Sequence, residues 1–447
     1  MEPMLLGWLI LALIFILLFA RVPIAFSLGF SATLGLYLFF AFPEGGGSHL
    51  AGALRPMLAL IGVEPFAFIT SYPLSAVPLF ILTGHLAYQS GFTADIFRAA
   101  RVWLNRLPGG LPMASVIGCG GFSAITGSSV ACAAAMGKIA IPEMRRHGYS
   151  KALSAGSVAM GGTLGSLIPP SILFILYGVF TEASVSRLFL AGIIPGLISL
   201  AGFLLVISLW VRLRPQDAGA LPESVTTGEK LRAMGDSWPM LALFVVVIGG
   251  IYMGIFTPTE SAAVGACLTG GAGILLKRLP LAGLLESLRE TVLQTATLFV
   301  IAFCAKIFIS FVALTGIPST LLQWTASANL STAAVLTVVI LLYLLLGMVL
   351  DSIGIMLLTL PIVTPVVESM GIDMIWFGVI VVKLLEIGLV TPPIGLNVFV
   401  IKSSVGEEIR LETIFAGILG FLVVDFLVLL LLIFFPALSL WIPGLAG

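Results

Sequence analysis

The chain has 447 residues, 59% of them hydrophobic and 9% charged, with a mean hydropathy of +1.18. Soluble domains carry about 25% charged residues, so a surface facing mainly water is excluded. Lysine plus arginine equals aspartate plus glutamate at 21 each, which leaves no basic excess for a nucleic-acid partner.

Backbone polar groups in lipid must be satisfied internally, by helices or by closed barrels. The runs Leu5–Ala20, Leu241–Ile251 and Phe421–Phe435 are apolar without the alternation of barrel strands. The expected fold class is therefore an all-α polytopic membrane protein, with the lipid bilayer as its surroundings. Cys119, Cys132, Cys267 and Cys304 lie in apolar segments without CxxC spacing and read as small hydrophobes. His49, His85 and His147 form no local cluster. No metal or haem cofactor is expected from them.

No basic residue precedes Met4–Ala20, and Arg21 follows it. That is the reverse of a signal peptide and reads as a retained span with its N-terminus outside. Spans near 22–42 and 74–91 come next, then a basic amphipathic helix at 93–107 of the interfacial kind. Residues 108–146 read as a re-entrant hairpin from the cytoplasm, its tip near Gly127-Ser128-Ser129. A span over 151–183, broken at Pro169-Pro170, leads outside, and 186–211 returns, completing a first repeat over 1–211. Residues 212–236, with four basic and four acidic residues, read as a cytoplasmic linker.

The second repeat, 237–447, follows the same order. Spans at 238–255 and 260–276 precede a surface helix at 279–290 and a span at 291–315. A hairpin over 331–370 enters from outside with its tip near Gly347–Ser352. A broken span at 374–402 and a last span at 413–435 end the chain, placing both termini in the periplasm. Hydropathy alone also permits each hairpin as two full spans.

A shift of 223 residues aligns Ser129 with Ser352, Pro142 with Pro365, Gly148 with Gly371, Gly165 with Gly388 and Pro169-Pro170 with Pro392-Pro393. After two extra residues, Ala191-Gly192 meets Ala416-Gly417. Charge separates the halves. Pro142–Lys151 carries Arg145, Arg146 and Lys151, whereas its counterpart Pro365–Asp373 has no basic residue. The bias reverses at Lys277, Arg278 and Arg289. Since basic residues gather on the cytoplasmic side, matching positions are expected on opposite sides. The repeat reads as inverted.

Paired interrupted helices in matching positions of inverted halves point to a transporter's site. Freed carbonyls can coordinate a bare cation, and exposed helix N-termini suit an anionic group. Four interruptions are expected: Gly127–Ser129, Gly165–Ser171, Asp351–Gly354 and Gly388–Asn397. Their oxygen donors are Ser128, Ser129, Thr163, Ser166 and Ser171 in the first half, and Asp351, Ser352, Thr391 and Asn397 in the second. Any single glycine or proline there also has a plain reading as a kink, and any hydroxyl as a bond to its own helix. Asp351, at a hairpin tip, is the foremost charged candidate at membrane depth. Lys383 and Glu386, three apart on one helix face, read as a local pair. Lys306 stands apart, to snorkel or line a domain interface, and Lys138 is expected to snorkel to the cytoplasmic surface.

At these residues the chain resembles the large membrane subunit of the tripartite ATP-independent periplasmic (TRAP) transporters. The stretches are Gly127–Leu197, which opens GSSVA and contains IPPS, Phe256–Gly265 (FTPTESAAVG), Gly347–Pro361 (GMVLDSIGIMLLTLP) and Gly388–Phe399 (GLVTPPIGLNVF). The resemblance implies a scaffold and a mobile domain that carries both hairpins and moves as an elevator. It implies sodium-coupled uptake of a carboxylate-type anion such as a C4-dicarboxylate or sialic acid. It also implies two partners, a small four-helix membrane subunit and a periplasmic substrate-binding protein, in a bacterial inner membrane. By the same resemblance Gly127, Ser128, Ser129, Gly165, Ser166, Asp351, Ser352, Gly354, Gly388 and Thr391 are candidate sodium ligands. Thr163, Pro169, Pro170, Ser171, Pro392, Pro393 and Asn397 are candidates for the substrate. Asp351-Ser352 departs from the Asp-Pro of many relatives.

Three other readings compete. One is a sodium-coupled carboxylate carrier that needs no binding protein, against which the GSSVA and FTPTE stretches weigh. Another is an intramembrane hydrolase using Ser128 or Ser129, which lacks a nearby base, since His147 falls at the cytoplasmic boundary. The last is a passive channel.

Overall fold

In the computed structural model the described residues are 2–43, 49–219 and 225–445, and they contain helices and no strand. The first half contributes α1 (Pro3–Phe19), α2 (Ile24–Ala41), α3 (Leu50–Ile69), α4 (Ala76–Gln89), α5 (Phe92–Leu104), α6 (Gly110–Thr126), α7 (Ser129–Arg146), α8 (Lys151–Leu167), α9 (Ile172–Thr181) and α10 (Val185–Leu213). The linker holds α11 (Thr227–Asp236). The second half contributes α12 (Trp238–Tyr252), α13 (Pro258–Leu275), α14 (Leu281–Thr315), α15 (Ile317–Ser327), α16 (Thr332–Gly347), α17 (Ser352–Ser369), α18 (Met374–Gly388), α19 (Leu396–Val405), α20 (Leu411–Phe434) and α21 (Ala437–Leu445). Among the described residues seven helical stretches are long and apolar enough to cross a membrane, or eight if α11 and α12, which meet at 50°, form one span. The protein is polytopic and helical, as its composition requires.

Local sequence sets the helix ends. Thr257 and Glu260 form a reciprocal capping box at the start of α13: the Thr257 hydroxyl accepts from the Glu260 N–H (3.3 Å), and the Glu260 carboxylate accepts from the Thr257 N–H (2.8 Å). Pro258 occupies the first helical position, where its missing N–H costs nothing. Thr226 and Glu229 repeat the device on α11. Ser128, Ser150, Ser171 and Ser184 cap α7, α8, α9 and α10 with their hydroxyls.

Both expected hairpin tips are breaks between helices, at 127–128 and at 348–351, and both expected broken spans are interrupted, at 168–171 and at 389–395. Pro169-Pro170 and Pro392-Pro393 are both cis. Three features differ from the sequence reading. Residues 50–69 form a helix that Arg55, Pro56, Glu64 and Pro65 disguise in the sequence. The surface helix at 279–290 and the span at 291–315 are one 35-residue helix, α14, because no proline or glycine separates them. Short helices α15 and α21 follow the spans that precede them.

The chain divides into two compact units, each drawing on both sequence halves. One comprises Met1–Leu74, Leu293–Leu342 and Ile353–Met374. Inside it Gly35 of α2 accommodates the Phe311 ring, Gly29 faces Cys304, and Phe68 meets Phe299 edge to face at 6.5 Å. Lys306 lies 6.0 Å from the Phe68 ring centre, a cation–π contact. The other unit comprises Ser75–Val292, Tyr343–Ser352 and Ile375–Gly447. Its innermost helices are α8, buried from Leu153 to Leu167, and α18, buried from Ile375 to Gly388. Asp95 on α5 pairs with Arg278 in the turn before α14 and lies 3.6 Å from Arg98. Lys138 is exposed.

Candidate functional site

In the first half the hairpin tip lies on the helix break. Gly127, left-handed at φ 60°, ends α6, and its carbonyl accepts from the Ile172 N–H at 3.1 Å. A Cβ on Gly127 would stand 2.7 Å from the Pro170 carbonyl oxygen, so no larger residue fits. Gly165 of α8 sits under the same tip, where a Cβ would come within 2.8 Å of the Ser128 carbonyl carbon. The second half repeats this contact. The Met348 carbonyl accepts from the Ile394 N–H at 3.2 Å, and Gly388 of α18 packs on Gly347 of α16. Glycines at both crossings let backbone meet backbone.

The side chains divide by what they bond. Ser128 and Ser171 spend their hydroxyls on the N–H groups of Ala131 and Phe174. Thr163 bonds back to the Met160 carbonyl (2.7 Å) and Thr391 to that of Ile387 (2.6 Å). Ser129 is different. Its hydroxyl lies 2.7 Å from the Ser166 hydroxyl and 2.7 Å from each carboxylate oxygen of Glu386. All three residues are buried, which brings the first tip, the first broken helix and the second broken helix to one point.

The expected local pair of Lys383 with Glu386 does not form. The Lys383 ammonium bonds the Asp425 carboxylate of α20 and the Ser199 hydroxyl of α10 (3.0 Å), with Lys383 2% and Asp425 0% exposed. A buried ammonium needs a carboxylate and further acceptors close by, and α20 and α10 supply them.

The second tip has another character. The Ser352 hydroxyl and both side-chain amide atoms of Asn397 are buried without a hydrogen-bond partner among the described residues. Asp351 is half-buried at the tip, and Gly354 lies buried in the first turn of α17. Pro169 and Pro170 are buried, whereas Pro392 and Pro393 are exposed. Buried polar atoms of this kind leave room for a water or a ligand to bond at this tip. Both tips offer only oxygen and amide donors with freed carbonyls, a set suited to hard cations.

The sequence reading missed Ser199 and Asp425. Asp425 interrupts the apolar run FLVVDFLVLL, and a carboxylate at that depth is a signal in its own right. Ser199, one of many serines in apolar helices, carries no such mark.

Comparison with known proteins bears on the same elements. The family described as "Tripartite ATP-independent periplasmic transporter, DctM component" matches residues 11–438. The C4-dicarboxylate TRAP transporter large permease protein DctM of Pseudomonas aeruginosa is 36% identical over 405 residues, covering 89% of this chain and 94% of that protein. The sialic acid TRAP transporter large permease protein SiaM of Vibrio cholerae is 34% identical over 430 residues, covering 96% of each. Among solved structures, the YdaH transporter of Alcanivorax borkumensis superposes with a TM-score of 0.63 at 16% identity, covering 99% of this chain and 98% of that one. At that identity the likeness concerns the fold alone. With the family matched over nearly the whole chain, this protein belongs to the DctM component of the tripartite ATP-independent periplasmic transporters, a membrane permease and not an enzyme.

Proposed function

We propose that this permease drives uptake of a carboxylate-type organic anion with the sodium gradient, in a bacterial inner membrane, with both termini periplasmic. The observation that carries the proposal is the tip-on-break contact made twice, Gly127 with Ile172 and Met348 with Ile394. Each contact gathers freed carbonyls, helix N-termini and oxygen side chains at a discontinuous helix, the arrangement by which transporters hold ions and anionic solutes.

In this reading the two hairpins are re-entrant and the two halves are inverted. Gly127, Ser129, Gly165 and Ser166 would hold sodium at the first tip; Asp351, Ser352 and Gly388 would hold it at the second. Asn397, with both amide atoms free, would face the solute. Ser128, Ser171, Thr163 and Thr391 act through backbone carbonyls, because their hydroxyls serve their own helices. A mobile domain carrying both tips would move as an elevator. The family's tripartite organisation supports two partners, a small membrane subunit and a periplasmic binding protein that delivers the solute. Two of the relatives' named solutes, a C4-dicarboxylate and sialic acid, support a carboxylate, and a third, isethionate, is a sulfonate, so all three are organic anions.

Uptake into proteoliposomes containing both membrane subunits, with and without the purified binding protein, tests the proposal. Uptake is expected only with binding protein and an inward sodium gradient. Full-rate uptake without the binding protein would reject the tripartite mechanism. Uptake that survives collapse of the sodium gradient would reject coupling.

A further inference from the structure

Glu386 has no cationic partner within salt-bridge distance among the described residues. Lys383, three residues earlier on the same helix, is turned to Asp425 and Ser199. The buried group therefore contains one ammonium, Lys383, against two carboxylates, Glu386 and Asp425. With both carboxylates ionised, one negative charge is left at membrane depth, where it is costly unless a bound cation or a proton neutralises it. The partners that reach Glu386 from the first half are neutral hydroxyls.

We infer that Glu386 is the charge-bearing ligand of a monovalent-cation site shared with Ser129 and Ser166, and that Asp425 keeps the Lys383 ammonium off that site. This rests on the sodium-coupled reading above and adds to it the group that supplies the charge. Serine hydroxyls and backbone carbonyls replace a cation's hydration shell but leave its charge uncompensated. A carboxylate at the same point makes the loaded site neutral, which lowers the cost of holding the ion in a dry interior. The elements fit this role. Ser129 belongs to the first tip, Ser166 to the end of α8 and Glu386 to α18, so a cation bound among them would tie together parts of both halves.

Asp425 follows from the same geometry. Residues three apart are neighbours on a helix surface, so a Lys383 released from α20 would have Glu386 as its nearest carboxylate. It would then act as a tethered competitor for the cation. Only one oxygen of Asp425 takes the ammonium; the other has no partner. Replacing that single carboxylate therefore frees Lys383.

The test uses the permease with its small subunit in nanodiscs, following thermal unfolding as sodium chloride replaces choline chloride at constant ionic strength. The wild type is expected to gain stability with sodium. E386Q is expected to raise the sodium concentration at half-effect by about tenfold or more, as removing a full charge beside a cation should. D425N is expected to do the same, and K383M/D425N to return to within about twofold of wild type, the pattern of a coupled pair. A wild type indifferent to sodium would reject the sodium reading itself. A responsive wild type with an unchanged E386Q would overturn Glu386 as ligand. An unchanged D425N, or a double variant as weak as D425N, would overturn the role of Asp425. Should E386Q fail to fold, D425N against K383M/D425N decides the whole inference, since competition by Lys383 requires a cation at Glu386.

Discussion

Gly388 and Gly347 cross so closely that a Cβ built on Gly388 would stand 2.6 Å from the Gly347 Cα, and one on Gly347 would stand 2.8 Å from the Gly388 Cα. Neither contact can be relieved by a side-chain rotation, because both sides are backbone. Gly388→Ala must push α18 from α16. It is expected to cost about 1–3 kcal/mol, the usual cost of overpacking, and to abolish uptake by disturbing the second tip. Gly271→Ala on α13, with open space around it, is the control and should match or exceed wild type. Thermal unfolding and uptake of the two variants give the comparison; a Gly388→Ala protein as stable and active as wild type would remove the crossing from the argument.

Hydroxyls that cap and hydroxyls that coordinate should separate under mutation. Ser171→Ala removes the cap of α9 and is expected to cost about 1 kcal/mol while leaving the sodium response intact. Ser129→Ala and Ser352→Ala should do the opposite, weakening the dependence of uptake on sodium more than they lower stability. If both keep the wild-type sodium curve, neither is a ligand.

The inverted orientation has a direct chemical test. Gly148 and Gly371 are matched left-handed turn residues after α7 and α17. Cysteines placed there should react with an impermeant thiol reagent from opposite faces of the membrane. Cys267 is exposed and must first be replaced, for example by serine. Labelling of both positions from one side would end the inverted reading.

The linker helix offers a pH prediction. The Glu229 carboxylate accepts from the Thr226 N–H (2.8 Å) and hydroxyl (2.9 Å), which holds its pKa below the usual 4.5. A depressed folded pKa means that the cap is fully present at neutral pH and is lost as pH falls through the folded value. Amide-exchange protection of α11, corrected for intrinsic rates, is expected to hold from neutral pH down through the ordinary carboxylate value of 4.5 and to be lost only as pH falls further below it. Thr226→Ala should lack that protection throughout. Protection already lost near neutral pH would contradict the assignment.

Much of the fold was legible because its punctuation is local. Gly127 and Ser128 end one helix and cap the next; Pro169-Pro170 and Pro392-Pro393 cannot continue a helix; Thr257-Pro258-Thr259-Glu260 announces one. What escaped was long-range. Whether Lys383 turns to Glu386 on its own helix or to Asp425, 42 residues away, depends on how α18 packs on α20, which periodicity does not encode. The meeting of Ser129 with Glu386 spans 257 residues and likewise has no local sign. Helix α3 escaped for a simpler reason: Arg55 and Glu64 dilute its apolar content, although an isolated charge near a helix end is tolerable at a membrane surface.

Gly156 of α8 and Gly417 of α20 also meet backbone to backbone, Gly156 against the Gly417 carbonyl and Gly417 against the Ala152 carbonyl. A seam without side chains has no rotamers to exchange and no intermediate packing to adopt. Whatever displaces α8 must drag α20 with it, and with α20 goes Asp425. The first break and the acid that holds Lys383 therefore stand on two helices joined by a backbone seam, with no side chain between them to yield.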